Sequence, residues 1–327
     1  MTVDTRISTT PESVGVSPHL SQALTGMSDS GVVMPLRCLA TLMLDSLREG
    51  CSPIEVLNRR APQHTHRREA DIAYGEHPRQ RLDLYLPAHA TATAAPVVLF
   101  FYGGSWQSGE RAQYRFVGEA LAGRGIVTAV ADYRLFPEVR YSGFLHDSAL
   151  ALAWLRTRVA DHGGDPDRLV VAGHSAGAFN AAMLALDARW LGAVGLHPDA
   201  TVAGLVGIAG PYDFRPLIER NLMAIFNPPE TPETTPDDTQ PIVYASASAP
   251  PALLVAPRED HIVYPGVNTG GLSARLRQLG VAVTERYYAS ANHYTIIGAM
   301  GVPLRPIAPV LEDVAGFVHA LPSRPRD

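Results

Sequence analysis

One serine stands where a serine can be made reactive. In residues 168–184 (RLVVAGHSAGAFNAAML) the apolar run Leu169-Val170-Val171-Ala172 turns through Gly173-His174-Ser175-Ala176-Gly177 and continues into an Ala- and Met-rich stretch. Strand, Gly-x-Ser-x-Gly and helix in direct succession form the setting of a nucleophile elbow. Side chains at Gly173 or Gly177 would collide with the neighbouring strand or helix, so the turn projects the Ser175 hydroxyl above the sheet. The amides that follow then face the point where an oxyanion would develop. A hydroxyl is a weak nucleophile until a base takes its proton and a third group orients that base.

With this elbow the chain order is serine, then acid, then histidine, so both partners must follow Ser175. The histidines after it are His197, His261, His293 and His319. His197 and His261 precede or adjoin the acid region, and His319 falls in a terminal helical stretch. His293 follows an expected strand through the small-residue loop Ala289-Ser290-Ala291-Asn292 and is the candidate base. Asp260, in Pro257-Arg258-Glu259-Asp260-His261, is the candidate acid. Asp213 and the adjacent Glu259 stay open as alternatives, and each could equally be a turn residue capping a helix. An oxyanion hole needs two backbone N–H groups. Ala176, directly after the serine, supplies one; Gly104 or Ser105, in Tyr102-Gly103-Gly104-Ser105-Trp106, supplies the other.

The elements that must position these residues follow from pattern. Residues 70–74 and 81–86 alternate like a hairpin, and 96–101 (PVVLFF) is a continuous apolar run suited to a central parallel strand. Further strands are expected at 126–131, 205–209, 252–256 and 281–288. Helices are expected before Gly123 and over 144–159, 272–279 and 308–321. This alternation predicts an α/β chain with a mostly parallel, doubly wound sheet covered by helices on both faces. Residues 214–250, rich in Pro and Thr, interrupt it as an irregular insertion. That insertion offers a short lid, with Leu217, Leu222, Met223, Ile225 and Phe226 as its apolar surface; the same residues could pack on the core.

The N-terminal part reads differently. Residues 1–66 form an extension to a catalytic domain at 67–327. The first thirty-three residues look poorly ordered, with a short helix possible over 18–27. Residues 34–47 (MPLRCLATLMLDSL) resemble the apolar core of an export signal, with a lipobox-like Cys51. Asp45 within the run and Arg48-Glu49 before the cysteine make that signal degenerate. The stretch is read as a docking amphipathic helix, and the reading points to the cytoplasm. Along such a helix Cys38 and Cys51 would lie about 20 Å apart, too far for a disulfide.

With 46% hydrophobic and 18% charged residues and a net charge of −5, the 327-residue chain is globular. It has neither a basic run suited to nucleic acid nor a membrane span, and homo-oligomerisation is left open. Two lone cysteines and scattered histidines form no metal motif, so no metal and no cofactor are expected.

Taken together, the Tyr102–Trp106 loop, Asp132-Tyr133-Arg134-Leu135 with Pro137-Glu138, Gly173–Gly177, Asp260-x-x-Val263 and Asn292-His293-Tyr294 resemble the α/β-hydrolase superfamily. The similarity is to its carboxylesterase-like branch, related to hormone-sensitive lipase and the kynurenine formamidases, and spans about residues 67–321. Two positions depart from that pattern: Tyr102 stands where the oxyanion loop usually begins with His, and Ala256-Pro257 where His-Gly usually precedes the acid. The resemblance implies a serine esterase that hydrolyses a small carboxylic ester through an acyl-enzyme. Ser175 would be the nucleophile, His293 the proton shuttle and Asp260 its orienter, with Arg134 and Glu138 structural. An arylformamidase would use the same triad on an N-formyl amide. A non-catalytic, ligand-binding relative is the rival from another class, and retention of all three triad types speaks against it.

Overall fold

The computed structural model describes residues 33–89 and 93–323; the possible helix at 18–27 lies outside them. Eight strands form one sheet: β1 (His66–Ala73), β2 (Arg81–Pro87), β3 (Ala95–Phe101), β4 (Val127–Ala131), β5 (Gly164–His174), β6 (Val202–Ile208), β7 (Ala252–Pro257) and β8 (Val283–Tyr288), in the order β1-β2-β4-β3-β5-β6-β7-β8. The first hairpin is antiparallel and joins β4 antiparallel; every later pairing is parallel. The chain is therefore an α/β protein of the α/β-hydrolase kind, with β3 and β5 at the centre of the sheet.

Strand chemistry explains the layering. Each residue of β3, β6 and β7 is buried, as expected where helices cover both faces. The hairpin is less regular than its alternation predicts. Every residue from Leu82 to Leu86 is buried, Asp83 included. The Asp83 carboxylate is matched by Arg68 Nη2 at 2.6 Å, Arg111 Nε at 3.0 Å and the Asp71 amide at 2.8 Å, the last at a break in the β1–β2 register. β5 also begins earlier than its apolar run, because Gly164 pairs with Ala95 ahead of the polar residues Asp165 to Arg168.

Ahead of β1 lie two helices, α1 (Val33–Glu49) and α2 (Pro53–Arg59). α1 packs on residues 302–307 and buries Leu42, while Leu36, Met43 and Leu47 of its expected apolar stripe stay exposed. Cys38 and Cys51 are separate thiols. α2 opens on a capping box, with Ser52 and Glu55 satisfying each other's backbone amides. It buries Val56 and Leu57 and uses Asn58 to grip the next segment: Nδ2 donates to the carbonyls of Ala112 and Gln113, and Oδ1 accepts the Phe116 amide. Phe116 lies in α3 (Arg115–Ala122), the helix that follows β3.

α4 (Gly143–Arg158) and α5 (Ala176–Leu186) complete the core around the sheet centre, and every residue of α5 is buried. Residues 214–250 are irregular apart from a short helix, α6 (Arg220–Phe226), and two single turns of 3-10 helix. Its Ile225 and Phe226 are buried and Leu222 and Met223 pack against the core. Among the described residues no helix is long and apolar enough to cross a membrane.

Candidate active site

Four loops leave the carboxyl edge of neighbouring parallel strands and meet: those after β3, β5, β7 and β8. The loop after β5 is the elbow. Ser175 has φ 53° and ψ −123°, a conformation that an L-residue adopts only under strain, of the order of 1–3 kcal/mol. Its amide donates to the Ile208 carbonyl at 2.9 Å, and its carbonyl accepts from Ala178 and Phe179. The two glycines are steric necessities. A Cβ at Gly173 would overlap the backbone of Gly177, and one at Gly177 would overlap the carbonyls of Phe101 and Tyr102.

The loop after β8 brings His293 within 2.9 Å of the Ser175 Oγ through Nε2, and the loop after β7 brings Asp260 Oδ2 within 2.7 Å of its Nδ1. Because an ionised carboxylate only accepts, Nδ1–H donates to Asp260, leaving the Nε2 lone pair to accept the serine proton. Asp260 and His293 are buried. Asp260 Oδ1 accepts the amides of Ile262 at 2.9 Å and Val263 at 3.0 Å. Burial would raise the Asp260 pKa, but the hydrogen bonds from His293, Val263 and Ile262 outweigh it and hold the carboxyl below its ordinary value.

The other candidates lie elsewhere. Asp213 is clasped by Arg215 at 2.8 and 2.9 Å, and Arg215 in turn reaches Asp237. Glu259 is exposed. His197 pairs with Asp199, His261 is exposed, and His319 lies against the Arg124 carbonyl. Arg134 grips Asp147 and Glu138 meets His77, away from the serine.

Ala176 opens α5, so its amide is one that intrahelical bonding leaves free. Across from it, Gly104, Ser105 and Trp106 all have positive φ (132°, 50° and 58°). This backbone would not persist unaided, and both ends of the loop are anchored. At one end the Tyr102 ring stacks between Tyr114 and Tyr133, with centroids 5.4 and 4.9 Å away. Its hydroxyl donates to Asp132 Oδ1 and accepts from Arg79, each at 2.8 Å. At the other end Trp106 donates through Nε1 to Asn180 of α5 at 3.0 Å, and its ring packs among Phe144, Phe179 and Phe226. Burial raises the Tyr114 hydroxyl to about 12, opposed by a backbone hydrogen bond from Gly103.

A cavity of about 550 Å³ opens over Ser175, lined by the glycine loop, Gln107, Ser108, Gln113, Ile262 and Tyr294 among others. Its lining comes from the loops after the strands and not from residues 214–250. Sequence pattern missed Gln107, Gln113, Ile262 and Tyr294, which are loop residues of ordinary type, and missed His174, whose position inside the elbow carried no chemical signal of its own. Among the described residues no group of three or more His, Cys, Asp or Glu is placed to hold a metal ion.

The BD-FAE family model matches residues 82–270, well over half of the chain. The chain belongs to the BD-FAE family. This member is 30% identical over 266 residues to "Isoprenylcysteine alpha-carbonyl methylesterase ICME" of Arabidopsis thaliana, covering 76% of this chain and 61% of that protein. It is 33% identical over 214 residues to "Esterase LipC" of Mycobacterium tuberculosis, covering 62% and 53%. The chain thus spans less than two thirds of the length of either relative. Among solved structures, the BD-FAE chain superposes on an inhibited esterase B from Lactobacillus rhamnosis with a TM-score of 0.70, at 20% identity over 88% of this chain and 94% of that one. At that identity the likeness speaks for the fold.

Proposed function

We propose that this BD-FAE member is a serine esterase that hydrolyses small carboxylic esters through an acyl-enzyme. The observation that carries the reading is the unbroken hydrogen-bond chain Asp260–His293–Ser175, 2.7 and 2.9 Å long, at the end of a cavity. Ser175 Oγ attacks the ester carbonyl as His293 Nε2 takes its proton. Asp260 holds the ring in the required tautomer and stabilises the imidazolium. The Ala176 amide, with that of Gly104 or Ser105, receives the oxyanion. Collapse breaks the bond to the alcohol, which leaves with the proton from His293. A water molecule then attacks the acyl-serine with His293 again as base, giving the acid and free Ser175. The names of the Arabidopsis and mycobacterial relatives, both esterases, support an ester over an N-formyl amide.

In this reading residues 67–327 are the catalytic domain, and the helices of the N-terminal extension brace it. The insertion at 214–250 backs the oxyanion loop through Phe226. The test is a panel of p-nitrophenyl esters from acetate to octanoate, run beside N-formylkynurenine, on the wild type and Ser175→Ala. Ester turnover that vanishes in Ser175→Ala is expected. Faster turnover of the formamide would favour the arylformamidase reading, and full ester activity in Ser175→Ala would overturn the mechanism.

A further inference from the structure

His174, the residue immediately before the nucleophile, has no part in the chemistry above, yet its side chain lies between two of the catalytic loops. It is buried, and its ring centroid is 5.0 Å from that of His293. Its Nε2 lies 2.8 Å from the main-chain carbonyl oxygen of His293. A carbonyl can only accept, so Nε2 must carry a proton and donate it. The other nitrogen, Nδ1, is buried without a hydrogen-bond partner. A Cβ on Gly103 would stand 3.0 Å from Nδ1 and 3.0 Å from the Ser175 Cβ, so this face of the ring is pressed against the start of the oxyanion loop.

We propose that His174 is a positioning residue, whose Nε2–H holds the backbone of His293 and thereby sets the distance of its imidazole from Ser175 Oγ. The proposal rests on the serine-esterase reading. Because His174 is covalently next to Ser175, it moves with the elbow, and a bond from it to the His293 carbonyl ties base and nucleophile into one frame. Apart from the bonds of the His293 ring to Ser175 and Asp260, the side-chain ties of that loop are local. Asn292 Oδ1 accepts the amides of Tyr294 and Thr295, and the Asn292 amide donates to Thr295 Oγ1. These shape the turn but do not fix it to β5.

The side chain must also stay neutral. The titratable groups that act on it are His293, which disfavours a second positive charge, and Asp260, which favours one. Burial and then His293 dominate, driving the His174 pKa down to about 3. The ring therefore donates one hydrogen bond over the working range without adding a cation beside the imidazolium that forms on His293 during turnover.

Two donor-free variants, His174→Leu and His174→Met, test this against His174→Gln, whose amide N–H can reach the same carbonyl. Misplacing a catalytic group by about 1 Å costs about 10²-fold, so kcat should fall between about 10- and 10²-fold in the donor-free variants, with KM within about threefold and a cooperative melt retained. His174→Gln should recover most of that loss. The proposal is overturned if a folded donor-free variant keeps kcat within about twofold of wild type, if the loss falls on KM alone, or if Gln is as poor as Leu and Met, which would mean that the slot needs only the ring's shape. A measurement on the wild type covers the case in which no variant folds. In a ¹⁵N-histidine NMR spectrum, the His174 ring should be neutral with its proton on Nε2 across roughly pH 5 to 8; a proton on Nδ1 would end the proposal. If the wild type hydrolyses no ester at all, the esterase reading has failed, and the NMR result still decides the hydrogen bond.

Discussion

Replacing Asp260 by Asn changes one atom, and its consequence can be worked out from three hydrogen bonds. Oδ1 accepts two backbone amides, Ile262 at 2.9 Å and Val263 at 3.0 Å, and Oδ2 accepts Nδ1–H of His293 at 2.7 Å. An Asn side chain has one acceptor atom. The two buried amides claim it, because turning the amide over would set an NH₂ against two N–H groups at once. The NH₂ then faces Nδ1, which can meet it only as a lone pair. The imidazole proton moves to Nε2, where it points at Ser175 Oγ and blocks proton removal. In serine-protease triads the same change costs about 10⁴ in kcat. At about 1.36 kcal/mol per decade that is about 5.4 kcal/mol of transition-state stabilisation. KM should move little, since Asp260 does not line the cavity. Steady-state hydrolysis of p-nitrophenyl acetate by Asp260→Asn and, as a control, Asp213→Asn would decide it. Asp213 spends its carboxylate on Arg215, so its variant should retain activity within a few-fold. An Asp260→Asn enzyme within about tenfold of wild type, or a larger loss in Asp213→Asn, would refute this assignment of the acid.

Three other outcomes are expected. Phe226→Ala, which empties a site against the rings of Trp106, Phe179 and Phe214, should cost about 3–5 kcal/mol in denaturant unfolding. The Asp260 carboxyl is held below its ordinary pKa of about 3.9, so its ionised form stabilises the fold fully above that pH and the contribution is lost as pH falls through the lower folded value; acid unfolding followed by circular dichroism should be less steep in Asp260→Asn. A chain started at His64 removes Val56, Leu57 and the Asn58 grip on Ala112, Gln113 and Phe116, and its melting temperature should fall together with kcat, because Gln113 lines the cavity and Tyr114 stacks on Tyr102.

Much of this was legible where local chemistry leaves one solution. Gly173 and Gly177 flank the serine because no Cβ fits at either, and the apolar runs of β3 and β7 can only be strands covered on both faces. Choices between residues of one type were not legible. Asp213 and Asp260 each follow a strand, and what separates them in space is an arginine two residues after the first and a histidine 33 positions after the second. The apolar residues of the insertion read equally as lid and as core. The ring of Trp106, which sits 4.8 Å from Phe226, draws them inward, and no periodicity in 214–250 announces that contact. The same holds for α1, whose stripe looks fully buriable although its partner surface at 302–307 covers only part of it.

The Tyr102 position shows how a departure from a family pattern can be absorbed. A loop that presents Gly104 and Ser105 with positive φ stores strain that its surroundings must hold in place. A histidine at its head would supply one ring and two nitrogens. The tyrosine supplies a larger ring and one hydroxyl, and the neighbours fit that shape. Tyr114 and Tyr133 sandwich the ring at interplanar angles of 18° and 22°, and the Tyr133 hydroxyl donates to the Tyr102 carbonyl at 2.7 Å. Asp132 accepts the hydrogen bond of the Tyr102 hydroxyl and is itself held by the Arg111 amide at 2.7 Å and by the Arg111 guanidinium. Arg79 closes the network by donating to Tyr102 Oη, the Tyr133 carbonyl and the Gly109 carbonyl. The Tyr102 and Tyr133 hydroxyls and the Nε and Nη2 of Arg79 each meet an acceptor, so the buried ends of this cluster are held in place. The Asp132-Tyr133 pair after β4 and the Tyr102 head of the loop after β3 are thus two halves of one support, which is why the pair belongs with the glycine loop and not with Ser175, His293 and Asp260.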